Sequence, residues 1–93
     1  MWEIYEHRRV EGQLKRLPLE ILKWYEKWKD IVQVSGPQGL RLIKGFHDDS
    51  LRGEWNGHRS SRPGLQYRVI YRIEADRAQV MVVQLTPHEY RRR

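Results

Sequence analysis

From Leu65 to Ile73 the chain alternates with period two. Leu65, Tyr67, Val69, Tyr71 and Ile73 fall on one face of a strand, and Gln66, Arg68, Ile70 and Arg72 on the other. The first set can close a core. The second presents two arginines along a sheet surface, with Arg59 and Arg62 just upstream. A solvated outer face of an antiparallel sheet would carry the same pattern.

The rest of the chain can be laid out around that strand. Trp2 to Tyr5 reads as a short first strand. From about His7, Val10, Leu14 and Leu17 recur at helical spacing, and Glu11 stands four residues before Lys15. Leu17-Pro18 stops this helix, because proline disfavours α geometry in the residue before it. Pro18 suits the first turn of a second helix, where its missing N–H costs nothing. That helix is predicted from Pro18 to Val34, with Ile21, Trp24, Tyr25, Trp28, Ile31 and Val32 as its apolar stripe. Ser35-Gly36-Pro37 ends it. Trp24 and Trp28, one turn apart, read as core or partner-facing bulk.

Gln38 to Gly45 suggests a short helical turn, and Phe46 to Ser50 is rich in turn formers. Leu51 to Ser61 reads as a strand, with Gly53 and Gly57 suited to a bulge or a close backbone approach. Arg62-Pro63-Gly64 turns the chain into the alternating strand, and Glu74 to Arg77 turns it out again. Gln79 to Leu85 is a nearly all-apolar strand, and Thr86-Pro87-His88-Glu89-Tyr90 leaves the sheet. The order β-α-α-β-β-β predicts an α+β domain. Two N-terminal helices would pack on one face of a small, mostly antiparallel sheet and leave the opposite face open.

Composition narrows the chemistry. Ninety-three residues make one domain. With no cysteine, disulfides and thiolate metal sites are excluded. No apolar run approaches a membrane span and no signal peptide is expected, which leaves the cytoplasm as the expected location. The formal charge of +6 is uneven: residues 1–49 carry nine Lys or Arg against eight acids, whereas residues 50–93 carry nine Arg, no Lys and four acids. A cation built only of arginine suits bidentate contact with phosphate and favours a polyanion or an acidic protein as partner. Three arginines, Arg91 to Arg93, end the chain.

The runs Gly53-Glu54-Trp55-Asn56-Gly57-His58-Arg59 and Gln66-Tyr67-Arg68-Val69-Ile70-Tyr71-Arg72-Ile73, with the ending Thr86-Pro87-His88-Glu89-Tyr90, resemble the RelE/ParE superfamily of type II toxin–antitoxin toxins. Within it the chain is most similar to the RelE/StbE, YafQ and YoeB-like messenger-RNA endonucleases. The resemblance covers most of the chain, and its informative motifs lie in residues 51–90. It implies a RelE-like fold and a toxin that enters the ribosome and cuts messenger RNA without a cofactor or metal. A cognate antitoxin would neutralise it in a hetero-oligomer. The implied chemistry is attack of the ribose 2′-hydroxyl on the adjacent phosphate, leaving a 2′,3′-cyclic phosphate and a free 5′-hydroxyl. This needs a proton acceptor, cations around the phosphate and a proton donor for the leaving oxygen.

The resemblance assigns roles residue by residue. Arg68 stands where the family has a strand arginine on the scissile phosphate, and Arg62 matches a supporting basic position. His88 stands where related toxins protonate the leaving group, a task suited to a group titrating near neutrality. Tyr90 would stack on a base or steady the phosphate, or else pack the chain's end onto the core. Asp49 matches the glutamate of YoeB-like members and is the first candidate for the base; Glu54 and His47 compete, and Asp49 could equally cap a turn. His58, Arg59 and Arg72, with Glu54 and His47, form the wider candidate RNA-binding set. Trp55 and Gly57 depart from the lysine-rich RelE pattern, which favours a histidine–carboxylate version of the chemistry. Two other classes fit the composition: a ParE-like gyrase inhibitor of the same fold, and a nucleic-acid-binding module with no chemistry.

Overall fold

The computed structural model describes residues 1–87 of the chain. In order these form β1 (Glu3–Glu6), α1 (Arg8–Leu14), α2 (Leu19–Ser35), α3 (Gln38–Arg41), β2 (Asp49–Ser50), β3 (Arg59–Ser61), β4 (Tyr67–Glu74) and β5 (Gln79–Pro87). The strands make one five-stranded sheet in the order β1-β5-β4-β3-β2. β1 runs parallel to β5, and every other pair is antiparallel. The expected α+β architecture is present, with α3 as a short third helix.

Local chemistry sets the helix ends. His7 caps α1, its Nδ1 accepting from the Arg9 N–H at 3.1 Å. Pro18 is extended and stands as the cap before α2 rather than inside its first turn. Gly36 closes α2 with φ +78°, its N–H bonding the Val32 carbonyl at 2.8 Å. A Cβ there would meet the Trp2 indole nitrogen at 2.8 Å, so this position needs glycine for its backbone and for its space.

The core lies between the helices and one face of the sheet. Tyr25, Trp28 and Val32 from α2 meet Val69 and Tyr71 of β4 and Val80, Val82 and Leu85 of β5, with Val10, Leu40 and Phe46 closing the sides. The Trp28 ring stacks near Tyr25 at 5.7 Å and meets Tyr71 edge-on at 5.3 Å. Trp24, half-buried, packs on Phe46 at 5.6 Å. The aromatic stripe of α2 is therefore core.

β1 pairs with β5 only as far as Val82, so the second half of β5 needs another partner. α1 provides it: the Gln13 Oε1 accepts from the Leu85 N–H at 2.8 Å. The core positions of β5 run Val80, Val82, Leu85, with a change of phase between the last two. β4 pairs Ile70 with Gln84 and Tyr71 with Val82, which leaves Val83 as the extra residue of a bulge.

Three expectations are corrected. The strand read over Leu51–Ser61 is broken into β2, a 3-10 turn at Gly53–Trp55 and β3. Gly53 and Gly57 both take positive φ in this loop, a geometry that a continuous strand does not have. Leu65 lies before β4 and is 63% exposed, so it is not part of the core face. Ile70 points away from α2, as the alternation requires, yet it is fully buried there beside Ser60. The outer face is therefore not bare at its middle.

Candidate functional site

Sheet register decides which candidates share a face. Residues directly opposite on neighbouring strands point the same way. Asp49 pairs with Ser60, Ser60 with Ile70 and Ile70 with Gln84, which makes one row across the outer face. Arg68, two residues before Ile70, pairs with Thr86 in the next row. Carrying the β3–β4 register one step past Ser61 and Val69 sets Arg62 across from Arg68. The Arg62 N–H holds the Phe46 carbonyl at 2.8 Å, which ties this corner to the turn before β2. Asp49, Arg62 and Arg68 thus occupy adjacent rows, roughly 7 Å apart along the strands. The long side chains of Arg62 and Arg68 can reach toward a group bound between them and Asp49.

The remaining candidates spread around this group. Arg72 shares the outer face but gives its Nε to Glu74 at 3.0 Å. His47 follows the 3-10 turn Lys44–Phe46 with φ +47°, an uncommon backbone for a residue with a Cβ. Glu54 is exposed in the Gly53–Trp55 turn. His58 ends that loop, its ring edge-on to Trp55 at 5.3 Å. His88 and Tyr90 lie outside the described residues.

Arg59 is on the other face. Its strand partner is Tyr71, a core residue, and its Nε donates to Asp48 Oδ1 at 2.7 Å. Ser61 donates to Asp48 Oδ2 at 2.7 Å, and the Tyr71 hydroxyl donates to the same oxygen. The Trp28 indole completes the chain by donating to the Ser61 hydroxyl at 2.9 Å. The Asp48 side chain is fully buried and meets three donors from two strands. Burial, then the bond and charge of Asp48, push the Tyr71 phenol well above its ordinary range. Burial acts to lower the Arg59 guanidinium, but its bond to Asp48 and the charge there more than reverse it, so the net shift is upward. Among the described residues no buried side-chain N or O lacks a partner.

Sequence reasoning missed Asp48 and chose its neighbour. The signal available was small: Ser61 and Tyr71 put hydroxyls on inward positions of adjacent strands, and hydroxyls inside a core need an acceptor. It also missed Arg9, whose Nη1 reaches Gln84 on the outer face at 3.4 Å, close to Thr86 and Arg68.

At the β2–β3 loop a hollow of about 390 Å³ opens against β4. Ser50, Arg52, Asn56, His58, Arg59 and Ile73 contribute to its wall. Among the described residues no group of three or more His, Cys, Asp or Glu is placed to hold a metal ion. No helix among them is long and apolar enough to cross a membrane.

The chain matches no protein-family model and no curated protein sequence. Its fold is nevertheless shared with solved toxins. The archaeal RelE–RelB complex from Pyrococcus horikoshii aligns over 92% of this chain and 93% of that chain, at 24% identity and a TM-score of 0.72. The YoeB–YefM complex from Staphylococcus aureus aligns over 96% and 99%, at 13% identity and 0.72. YafQ from E. coli aligns over 95% and 94%, at 16% identity and 0.65. Likeness at these identities establishes a common fold.

Proposed function

We propose that this chain, which carries the fold of the RelE, YoeB and YafQ toxins, is the toxin of a type II toxin–antitoxin pair and an endoribonuclease that cuts messenger RNA on the ribosome. The observation that supports the reading is the register that sets Asp49 and Arg68 in adjacent rows of the sheet face away from α2, with Arg62 just past the end of β3. A carboxylate beside two guanidinium groups supplies a proton acceptor and a clamp for a charged phosphate.

In this reading Asp49 takes the proton from the ribose 2′-hydroxyl. The 2′ oxygen bonds to phosphorus while the bond from phosphorus to the 5′ oxygen breaks. Arg68, supported by Arg62, holds the phosphate oxygens as charge builds on them. His88 gives its proton to the departing 5′ oxygen, and Tyr90 stacks on a flanking base. The products are a 2′,3′-cyclic phosphate and a 5′-hydroxyl. No metal is required, because the arginines carry the charge stabilisation. An antitoxin bound to the chain would hold it inactive, and the pairing of RelE with RelB and of YoeB with YefM in the solved complexes supports such a partner.

The deciding experiment incubates purified protein with translating ribosomes and maps cuts in the message. Defined cuts with 5′-hydroxyl ends, lost in Arg68→Ala and His88→Ala, are expected. The first substitution should cost about 100–1000-fold in rate and the second about 100–10,000-fold. Intact message together with blocked supercoiling by gyrase would replace this reading with a ParE-like one. Salt-sensitive RNA binding with no cutting would reduce it to a binding module.

A further inference from the structure

The hollow at the β2–β3 loop stands apart from the Arg68 face. Ser50 pairs with Arg59, Arg59 with Tyr71, and Ile73 follows two residues later, so all three side chains belong to the side on which α2 packs. Asp49, between Ser50 and Asp48, belongs to the opposite side. Arg59 therefore lies on the other side of the sheet from Arg68.

Its chemistry is that of an anion site. Arg52 is exposed on extended backbone at the rim. Arg59 uses its Nε on Asp48 and stands beside the Tyr71 hydroxyl, and part of its guanidinium stays exposed. A guanidinium held at Nε by a buried carboxylate has its outer edge already aimed, so little freedom is lost when an anion binds. The His58 ring, the Asn56 amide and the Ser50 hydroxyl add polar groups, and no carboxylate is among the described residues of the wall. Trp55 packs against His58 from the loop and stiffens that side.

We infer that this hollow is a second RNA subsite, which binds one phosphodiester unit away from the one that is cut. It deepens the reading of the chain as an RNA-directed protein. The shape favours RNA over an acidic protein segment. About 390 Å³ of concave space falls in the range of small-ligand sites. An amphipathic helix would instead need a long apolar groove, and this short hollow offers only Leu51 and Ile73 as large apolar side chains. RNA held at both places would pass around the β2 edge of the sheet, with Asp48 pinning that edge from within.

The test uses the full chain, inorganic phosphate, and a short single-stranded RNA with 2′-O-methyl riboses that cannot be cut. Phosphate should shift the NMR signals of the His58 ring and the Asn56 side-chain amide. Arg52→Ala should weaken oligomer binding about three- to tenfold and reduce the slope of log affinity against log salt by about 0.7. His58→Ala, also outside the buried network, should weaken binding as well. Unchanged affinity and slope in Arg52→Ala would overturn the proposal. So would a glutamate-rich peptide that shifts His58 where phosphate and the oligomer do not, since the hollow would then be a protein-docking site. Cleavage enters none of these readouts. A chain that cuts no message yet binds the oligomer through Arg52 would sink the endonuclease reading and leave the subsite standing.

Discussion

The two faces of the sheet use charge in opposite ways. On the side of α2, Arg59 is tied to Asp48 within a network that runs through Ser61, Tyr71 and Trp28. On the outer side, Arg68 and Arg62 stand in neighbouring rows with Asp49, with no comparable closed set of bonds among the described residues. An arginine in a closed network holds the fold through the nitrogen it has bonded and leaves only its remaining edge to a ligand. An arginine held on rigid backbone without such closure is available to a ligand. Net charge counts both alike, so a basic composition alone overstates the cation that a partner meets.

The largest expected effect tests the inner side. Asp48→Ala leaves Arg59, Ser61 and Tyr71 without their acceptor in a buried setting. Loss of one member of a buried charge pair costs about 3–5 kcal/mol, to be read from urea unfolding. Tyr71→Phe removes one of three donors and should cost less, about 1.5–3 kcal/mol. A fully stable Asp48→Ala would mean that the network does not hold the β2 edge.

Arg68→Ala is the matching test on the outer side. The rate loss given above corresponds to about 2.7–4 kcal/mol of transition-state stabilisation. Its unfolding midpoint should stay near that of the parent chain, because the Arg68 side chain makes no hydrogen bond or ion pair among the described residues. If Arg68→Ala unfolds the protein as readily as Asp48→Ala, the contrast between the faces collapses.

A smaller effect appears at alkaline pH. Tyr71 and Tyr25 are both raised, each first by burial and then by a hydrogen bond to a carboxylate, Asp48 for one and Glu6 for the other. In the unfolded chain a tyrosine releases its proton near pH 10, whereas the folded protein keeps both protons beyond that point. The stability they support is complete below pH 10 and declines as the pH climbs toward the folded values. Each contributes a slope of about 1.4 kcal/mol per pH unit above pH 10. Tyr71→Phe and Tyr25→Phe should each flatten the decline, measured by unfolding between pH 9 and 11. Tyr5 is raised mainly by its hydrogen bond to Glu3, but its side chain is exposed, so substituting it should flatten the decline less.

Much of this contrast was legible in the residues, and its limits were physical. Alternation placed Val69 and Tyr71 inside and Arg68 and Arg72 outside, because β4 itself carries no extra residue. The stripe of α2 gave Tyr25, Trp28 and Val32 correctly as buried. Residues 51–61 were misread because their run of polar and aromatic residues gives no period, while two glycines at positive φ fold it into a loop. The bulge at Val83 was invisible, since Val82, Val83 and Leu85 are all apolar and a phase change among them leaves no mark. Asp48 and Asp49 are adjacent acids with similar local propensities. Only the third dimension shows that one faces Ser61 and Tyr71 and the other faces away.

The finest test separates two arginines on the same face. Arg72 and Arg68 differ by four residues and share the outer side of β4, but Arg72 is paired with Glu74, and both side chains of that pair are substantially exposed. Exposed pairs contribute little to stability, so Arg72→Ala should move the unfolding free energy by no more than about 0.5 kcal/mol. Its bond to Glu74 already neutralises part of its charge, so its effect on RNA affinity should also be the smaller of the two. Arg72→Ala weakening the oligomer as strongly as Arg68→Ala would show that the whole outer row grips RNA. The scissile position would then need a mark other than proximity to Asp49 and Arg62.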